Sequence, residues 1–388
     1  MRQWRLEVIF LAMLVPVSAA GAPETNFSQH PGFDRYFADN PPSSNTPSAA
    51  ERALLKRYRP RILIPENQPG PIDFYRDYIA RGSLYDGGGK LVSEAVAQVL
   101  LNRHKGDSKA EFRHLPPATG NSSPVIYARV DGAEVGNPDG VEGEAESFTF
   151  LTYYAVFRHS GLPAGLGRWR AALLDLVADL RDWHQLDHYT AVTLVLDRGE
   201  APVAVMIQQH NYLRTFLIGE GITLPPDGRV VIDAAIRSNE LYPHRPGRHR
   251  RRAVRFADRK GMAYLMGFGP RPFVAADDFT DSAREVRYAM EYLPPDDAFY
   301  MFQGFLGERR LLPGRSGPPG ASFNTLPELK PLAVQLLSGY WREGDEGDWR
   351  RYQSAVDQGK AAFAAVQAPI FLHNLRCLQN RTRGCRLR

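Results

Sequence analysis

The stretch Asp182 to Asp197 reads DWHQLDHYTAVTLVLD, with His184, Asp187 and His188 just ahead of an apolar run that alternates like a strand. An imidazole beside a carboxylate can act as a general base held in one tautomer, and two histidines with an acid can ligate a divalent metal. A spacing of i, i+3, i+4 would share a helix face, but here the helical pattern stops at Trp183, so the cluster falls on a turn. The plainer alternative is a solvated junction between a helix and a strand. The next apolar run, PVAVMIQQHNY, ends in Gln209, His210 and Asn211. If the two runs form a hairpin across Asp197–Ala201, His188 and His210 come to the same end of a sheet. The catalytic candidates are therefore His188, His210 and Asp187, and the metal candidates are His184, His188 and His210. A third polar group closes IDAAIRSNELYPH: Ser238, Asn239, Glu240, Tyr242 and His244.

A second kind of chemistry sits in HRPGRHRRRAVRFADRK, His244 to Lys260, where Arg245, Arg248, Arg250, Arg251, Arg252 and Arg255 lead a run opposed by one acid, Asp258. Such a cluster can track phosphates or acidic sugars, and its charges favour an exposed loop. The bland alternative is a solvated connection. Aromatic residues do not interleave the arginines as base stacking requires, so nucleic acid fits poorly. Anionic lipid, lipopolysaccharide or acidic glycan fits an exported protein better. Two weaker signals read as structural. Asp175, Asp179 and Asp182 share a helix face with arginines, and Glu343 to Trp349 suits an acidic helix start.

The compartment follows from the first residues. A basic start, Met1 to Arg5, precedes the apolar or small-residue run Val8 to Ala20, and the pattern reads as a secretory signal over 1–22. Later stretches are too short and interrupted to span a bilayer, which predicts no transmembrane segment in the mature chain and a periplasmic or secreted protein. The two cysteines, Cys377 and Cys385, are expected to pair in an oxidising compartment, with two free thiols as the alternative. With no other cysteine, iron–sulfur and cysteine–zinc sites are not expected. No G-x-S-x-G, H-E-x-x-H or Walker loop occurs, and YDGGGK lacks the hydroxyl residue after its lysine. No cofactor is named by these residues.

The elements that must position these groups come from periodicity. Residues 23–47 read as a flexible leader rich in Pro, Ser and Asn. Ser48 can cap a helix over 49–58, followed by the strand RILIP. A helix fits 90–102 and another fits RWRAALLDLVADLRDW, 168–183. SPVIYARV, ESFTFLTYYAVFRH, HYTAVTLVLD, PVAVMIQQH, YLRTFLI and RVVIDAAI read as strands. The stretch 267–319 reads mostly as loop, and helical patterns cover 327–342 and 348–366. These elements predict an α+β chain with an antiparallel β-sandwich-like core over 48–266, carrying inserted helices, and a loop and helical region over 267–388.

Six of these pieces, RYRPRILIP, SPVIYARV, FTFLTYYAVF, DHYTAVTLVLD, VMIQQH and IDAAIRSNELYPH, resemble in order a run of elements in the vacuolar protein sorting-associated (sixty-two type) family. The likeness covers residues 57–244. The same region is distantly similar to necrosis-inducing-like toxins, and that similarity implies a β-sandwich with a metal-binding rim. Here His188, Tyr189 and Thr190 stand where the family shows Asp, Trp and Glu. The toxin-like metal site is therefore not carried over, and the resemblance implies the fold more than an activity. Two functions remain: a binding protein for an anionic envelope or surface ligand, or a metal-assisted or histidine-based hydrolase of an ester or glycan bond.

Overall fold

Ser48 begins the first helix as its sequence suggests. Its hydroxyl accepts from the Glu51 amide at 3.2 Å, and the Glu51 carboxylate accepts from the Ser48 amide at 2.7 Å. This reciprocal capping box satisfies two amides that have no partner within the helix. Helix α1, Ala49–Arg57, leads past Pro60 into strand β1, Arg61–Pro65. The computed structural model describes residues 47–114, 123–136, 145–158, 160–161, 164, 182–184, 186–209, 212–245, 252–255, 274–294, 296–307, 332–340, 360–380 and 385–387.

The next elements are β2 (Gly82–Tyr85), β3 (Leu91–Ser93), α2 (Gln98–Arg103) and β4 (Glu111–His114). The long strands are β5 (Val125–Val135), β6 (Glu146–Phe157), β9 (Asp187–Leu196), β10 (Pro202–Gln209) and β11 (Tyr212–Leu217), with the short pair β7 (Ser160–Gly161) and β8 (Asp182–His184) between β6 and β9. After them come β12 (Val231–Ala234), β13 (Leu241–Pro243), β14 (Arg252–Arg255), β15 (Val274–Asp277), β16 (Ala283–Glu285) and β17 (Ala289–Glu291). Helices α3 (Ala298–Met301), α4 (Leu332–Ser338) and α5 (Lys360–Asn380) follow.

Two sheets pack face to face. The larger has the order β11-β10-β9-β6-β5-β17 and the smaller β13-β12-β1-β16. Both are mainly antiparallel, with the parallel pairs β1–β12 and β5–β17. Alternate residues of the large sheet, among them Ile126, Ala128, Leu151, Tyr153, Val192, Leu194, Val205 and Ile207, meet Ile62, Ile64, Ile232, Ala234 and Leu241 of the small one. The period of two puts the intervening residues on the other face of the large sheet, where a third layer covers them.

At one end of that face Phe74, Tyr78, Phe112 and Phe302 pack with Phe299, whose ring centroid lies 4.4 Å from Tyr127 and 5.7 Å from Tyr154. At the other end Leu336, Leu337, Phe371, Leu372 and Leu375 of α4 and α5 cover Phe148, Phe150, Val195 and Met206. Truncating a buried phenylalanine such as Phe299 to alanine costs roughly 3–5 kcal/mol. The fold is thus α+β with a two-sheet core, as the alternation predicts.

Four local expectations differ in part. Residues 90–102 form β3 and then α2 rather than one helix, and Val99 is 63% exposed. The expected end of the long helix, Asp182 and Trp183, belongs instead to the strand Asp182–His184 pairing with Ser160–Gly161, while 168–181 lie outside the described residues. The stretch 267–319 carries β15, β16, β17 and α3, and β16 and β17 complete the two sheets. Near the end of the chain, helix α5 takes in 360–366 of the 348–366 pattern and continues past it to Asn380, while 348–359 lie outside the described residues.

Candidate functional site

The hairpin that sequence places around Asp197–Ala201 forms. The Asp197 amide donates to the Ala201 carbonyl at 2.9 Å, and the Asp197 carboxylate accepts from the amides of Gly199 and Ala201. With Val192 opposite Ile207, the start of β9 and the end of β10 share one end of the large sheet. His188 therefore stands among the first residues of β9, at the end of the sheet where β10 finishes with Gln209, the chain neighbour of His210. His184 pairs with Ser160 on the short ribbon after β6. His210 and Asn211 lie outside the described residues, as do the side chains of His184 and His188, so no ligand geometry is assigned to the three histidines.

Asp187 is fully buried opposite Phe157, and its Oδ1 accepts from the Thr190 hydroxyl at 2.5 Å. That bond holds the first turn of β9 and uses a carboxylate oxygen locally.

The third polar group has a built geometry. Between β12 and β13 the chain passes through Arg237 at φ 71° and Asn239 at φ 58°, left-handed conformations that cost a side-chain-bearing residue roughly 1–3 kcal/mol. The surroundings fix them. Gln68 Nε2 donates to Asn239 Oδ1 at 2.7 Å, the Arg237 amide donates to Gln68 Oε1 at 2.9 Å, and the Gly161 amide donates to the Arg237 carbonyl at 2.9 Å. Ser238, Asn239 and Glu240 are all buried. Because Gly161 follows β6, this loop joins the small sheet to the end of the large sheet where β9 begins.

Ser238 and Tyr242 converge on Asp277, a fully buried acid at the end of β15. The Ser238 hydroxyl donates to Oδ1 at 2.8 Å and the Tyr242 hydroxyl to Oδ2 at 2.7 Å. Beside them, His244 Nδ1 lies 2.8 Å from Asp233 Oδ1, with side chains 26% and 12% exposed. Sequence reading paired Asp187 with His188 as the acid–imidazole couple. The couple seen among the described side chains is Asp233–His244, brought side by side because β12 and β13 form a hairpin with Ile232 opposite Pro243. The signal was present in IDAAIRSNELYPH as two short apolar runs around a polar turn.

The basic segment is not simply a loop. Arg252–Arg255 form β14, paired with β15 so that Arg252 stands opposite Asp277 and Arg255 opposite Val274. Arg245 is half-buried, and Arg248, Arg250 and Arg251 lie outside the described residues. Of the arginine run, Arg252 and Arg255 are therefore carried on a two-stranded ribbon whose base is Asp277. Repulsion among like charges favoured a loop, but the β-branched and small residues of RAVR and VAAD supply a paired backbone that outweighs it.

Sequence reading passed over a polar band on the outer face of the large sheet. Arg129 forms two 2.7 Å hydrogen bonds with Asp131 and lies 5.0 Å from the ring centroid of Tyr300. Burial works against the Arg129 charge, but the attraction of Asp131 and its hydrogen bonds hold the guanidinium above its ordinary value. Thr152 and Thr193 extend the band with hydroxyls 3.0 Å apart. The Tyr300 hydroxyl is buried without a hydrogen-bond partner among the described residues.

Cys377 and Cys385 form the expected disulfide, with Cα atoms 5.6 Å apart. Among the described residues no helix is long and apolar enough to cross a membrane. Comparison with known proteins finds no matching family model and no significantly similar curated protein or solved structure.

Proposed function

We propose that this is an exported binding protein that holds an anionic envelope or surface ligand, a lipid headgroup, lipopolysaccharide or acidic glycan, through the basic segment Arg245 to Lys260. The observation that carries this reading is the mounting of part of that segment, Arg252–Arg255, on a ribbon rooted at Asp277 by Ser238 and Tyr242. A charged strand on a fixed base keeps its positive groups aligned at lower entropic cost than a free loop. The strained, buried loop beside that base is a further feature typical of ligand-binding edges.

The test is binding of the full chain to anionic and zwitterionic vesicles and to a sulfated glycan across a salt series. Binding to one anionic probe should fall steeply with salt, since screening shortens to about 8 Å at physiological ionic strength. Replacing Arg250, Arg251 and Arg252 with Ser should weaken it. Binding indifferent to both salt and substitution would overturn the proposal.

A hydrolase is the second reading. It is favoured by the Asp233–His244 couple and by the shared end of the sheet for the start of β9, which carries His188, and the end of β10. Turnover of ester or glycan substrates that is lost in His188→Ala, His210→Ala or His244→Ala would favour it over binding alone.

A further inference from the structure

His373 and Cys377 are four residues apart on α5, so they share one face of the helix. Cys385 returns from the tail to the same face. One donor atom from each of the three residues lies within 4.8 Å of the other two, and His373 Nε2 is 3.5 Å from Cys377 Sγ. Two ligands bound to one tetrahedral zinc stand about 3.3–3.8 Å apart, given Zn–S near 2.3 Å and Zn–N near 2.0–2.1 Å. The His373–Cys377 pair already has that spacing.

We propose that in the reduced chain His373, Cys377 and Cys385 form a three-ligand zinc site that the disulfide excludes.

The helix carrying two of the ligands is firmly seated. Phe371, Leu372 and Leu375 are buried in the core, and Asn374 Nδ2 donates to the Tyr340 hydroxyl at 2.8 Å. Cys385 belongs to the exposed tail. On reduction its sulfur has to move from Cys377 by roughly 1.5–2 Å, the difference between a covalent bond and two sulfurs sharing a metal. The chemistry balances with a dithiol reductant, which gives up two electrons and two protons and leaves as its own disulfide while Cys377 and Cys385 become thiols. Zinc then displaces one proton from each thiol. His373 Nε2 now contacts the Arg386 carbonyl at 3.0 Å. To ligate, Nε2 gives up that contact, and the imidazole carries its proton on Nδ1. Three protein ligands leave a fourth position for water or a donor from outside. Reoxidation forms the S–S bond, passes two electrons to the oxidising disulfide and releases the ion.

The experiment uses the full chain reduced with a phosphine, freed of it by anaerobic desalting, and titrated with zinc against a chromophoric chelator. One ion per chain should bind to the reduced protein and none to the oxidised one. Cobalt should give thiolate charge-transfer and tetrahedral absorption bands. His373→Gln, whose oxidised form keeps the disulfide and serves as the folding control, should weaken zinc by more than about tenfold, since even outer partners of a ligand are worth that much. In the wild-type chain, zinc should also protect both thiols from alkylation. A reduced chain that binds no zinc, binding unchanged in Cys377→Ser/Cys385→Ser, or thiols alkylated equally fast with and without zinc would overturn the proposal.

Discussion

The Ser238 hydroxyl donates to Asp277 Oδ1 at 2.8 Å across 39 positions of sequence, and this bond ties the strained loop between β12 and β13 to the base of the basic ribbon. Asp277→Ala would leave the buried hydroxyls of Ser238 and Tyr242 without this acceptor. The expected cost is about 1–3 kcal/mol for each group left unsatisfied, read by urea unfolding. Protease cleavage between residues 245 and 274 should accelerate at the same time. Unchanged cleavage would mean the ribbon does not depend on Asp277.

The loop also depends on a close approach at Gly161. A Cβ there would lie 2.9 Å from the Arg237 carbonyl oxygen and 3.2 Å from the Arg237 Cβ. Gly161→Ala should therefore push the loop away from the end of the large sheet and destabilise the protein by about 1–3 kcal/mol. Hydrogen exchange should show faster loss of protection at Gly161 itself. An alanine variant as stable as the wild type would show that the two sheets are not joined rigidly here.

Tyr300→Phe should be stabilising by about 1 kcal/mol. It removes a buried hydroxyl that has no hydrogen-bond partner among the described residues and keeps the ring under Arg129. Thermal unfolding checks the sign. A destabilised variant would reveal that the hydroxyl is used, and the polar band would then become a ligand site to pursue.

One pH effect follows from the edge of the small sheet. Arg61 Nη2 lies 2.8 Å from Glu285 Oε2, and its hydrogen bonds lower the Glu285 pKa below the ordinary glutamate value. Stability from this pair is present above the unfolded-state pKa and is lost as pH falls through the lowered folded value. Both side chains are more than a third exposed, so the contribution is under about 1 kcal/mol. Glu285→Gln should be slightly less stable than wild type at neutral pH and equal to it in acid. A gap that persists in acid would assign the difference to packing.

The long elements were readable because their residues repeat one preference many times. In ESFTFLTYYAVF and HYTAVTLVLD, β-branched and aromatic residues recur over ten or more positions, and the turn at Asp197 has its own side-chain bonds. Strands of three or four residues, such as β13, β16 and β17, carry too few positions for a period, and their pairing is decided by partners far along the chain. The same limit applied to the site. Arm lengths alone were enough to bring the start of β9 and the end of β10 to one end of the sheet, while His210 itself lies outside the described residues. That Asp187 bonds Thr190 while Asp233 meets His244 depends on side-chain direction, which the short apolar runs of IDAAIRSNELYPH do not fix.

Strand β1 has a consequence for how the protein acquires its shape. It lies between β12 and β16, and Arg61 reaches Glu285 across 224 residues of sequence. The small sheet therefore cannot form when its first strand is synthesised, and that strand must wait for most of the chain to follow. Contacts this distant make for slow folding and leave apolar edges uncovered meanwhile.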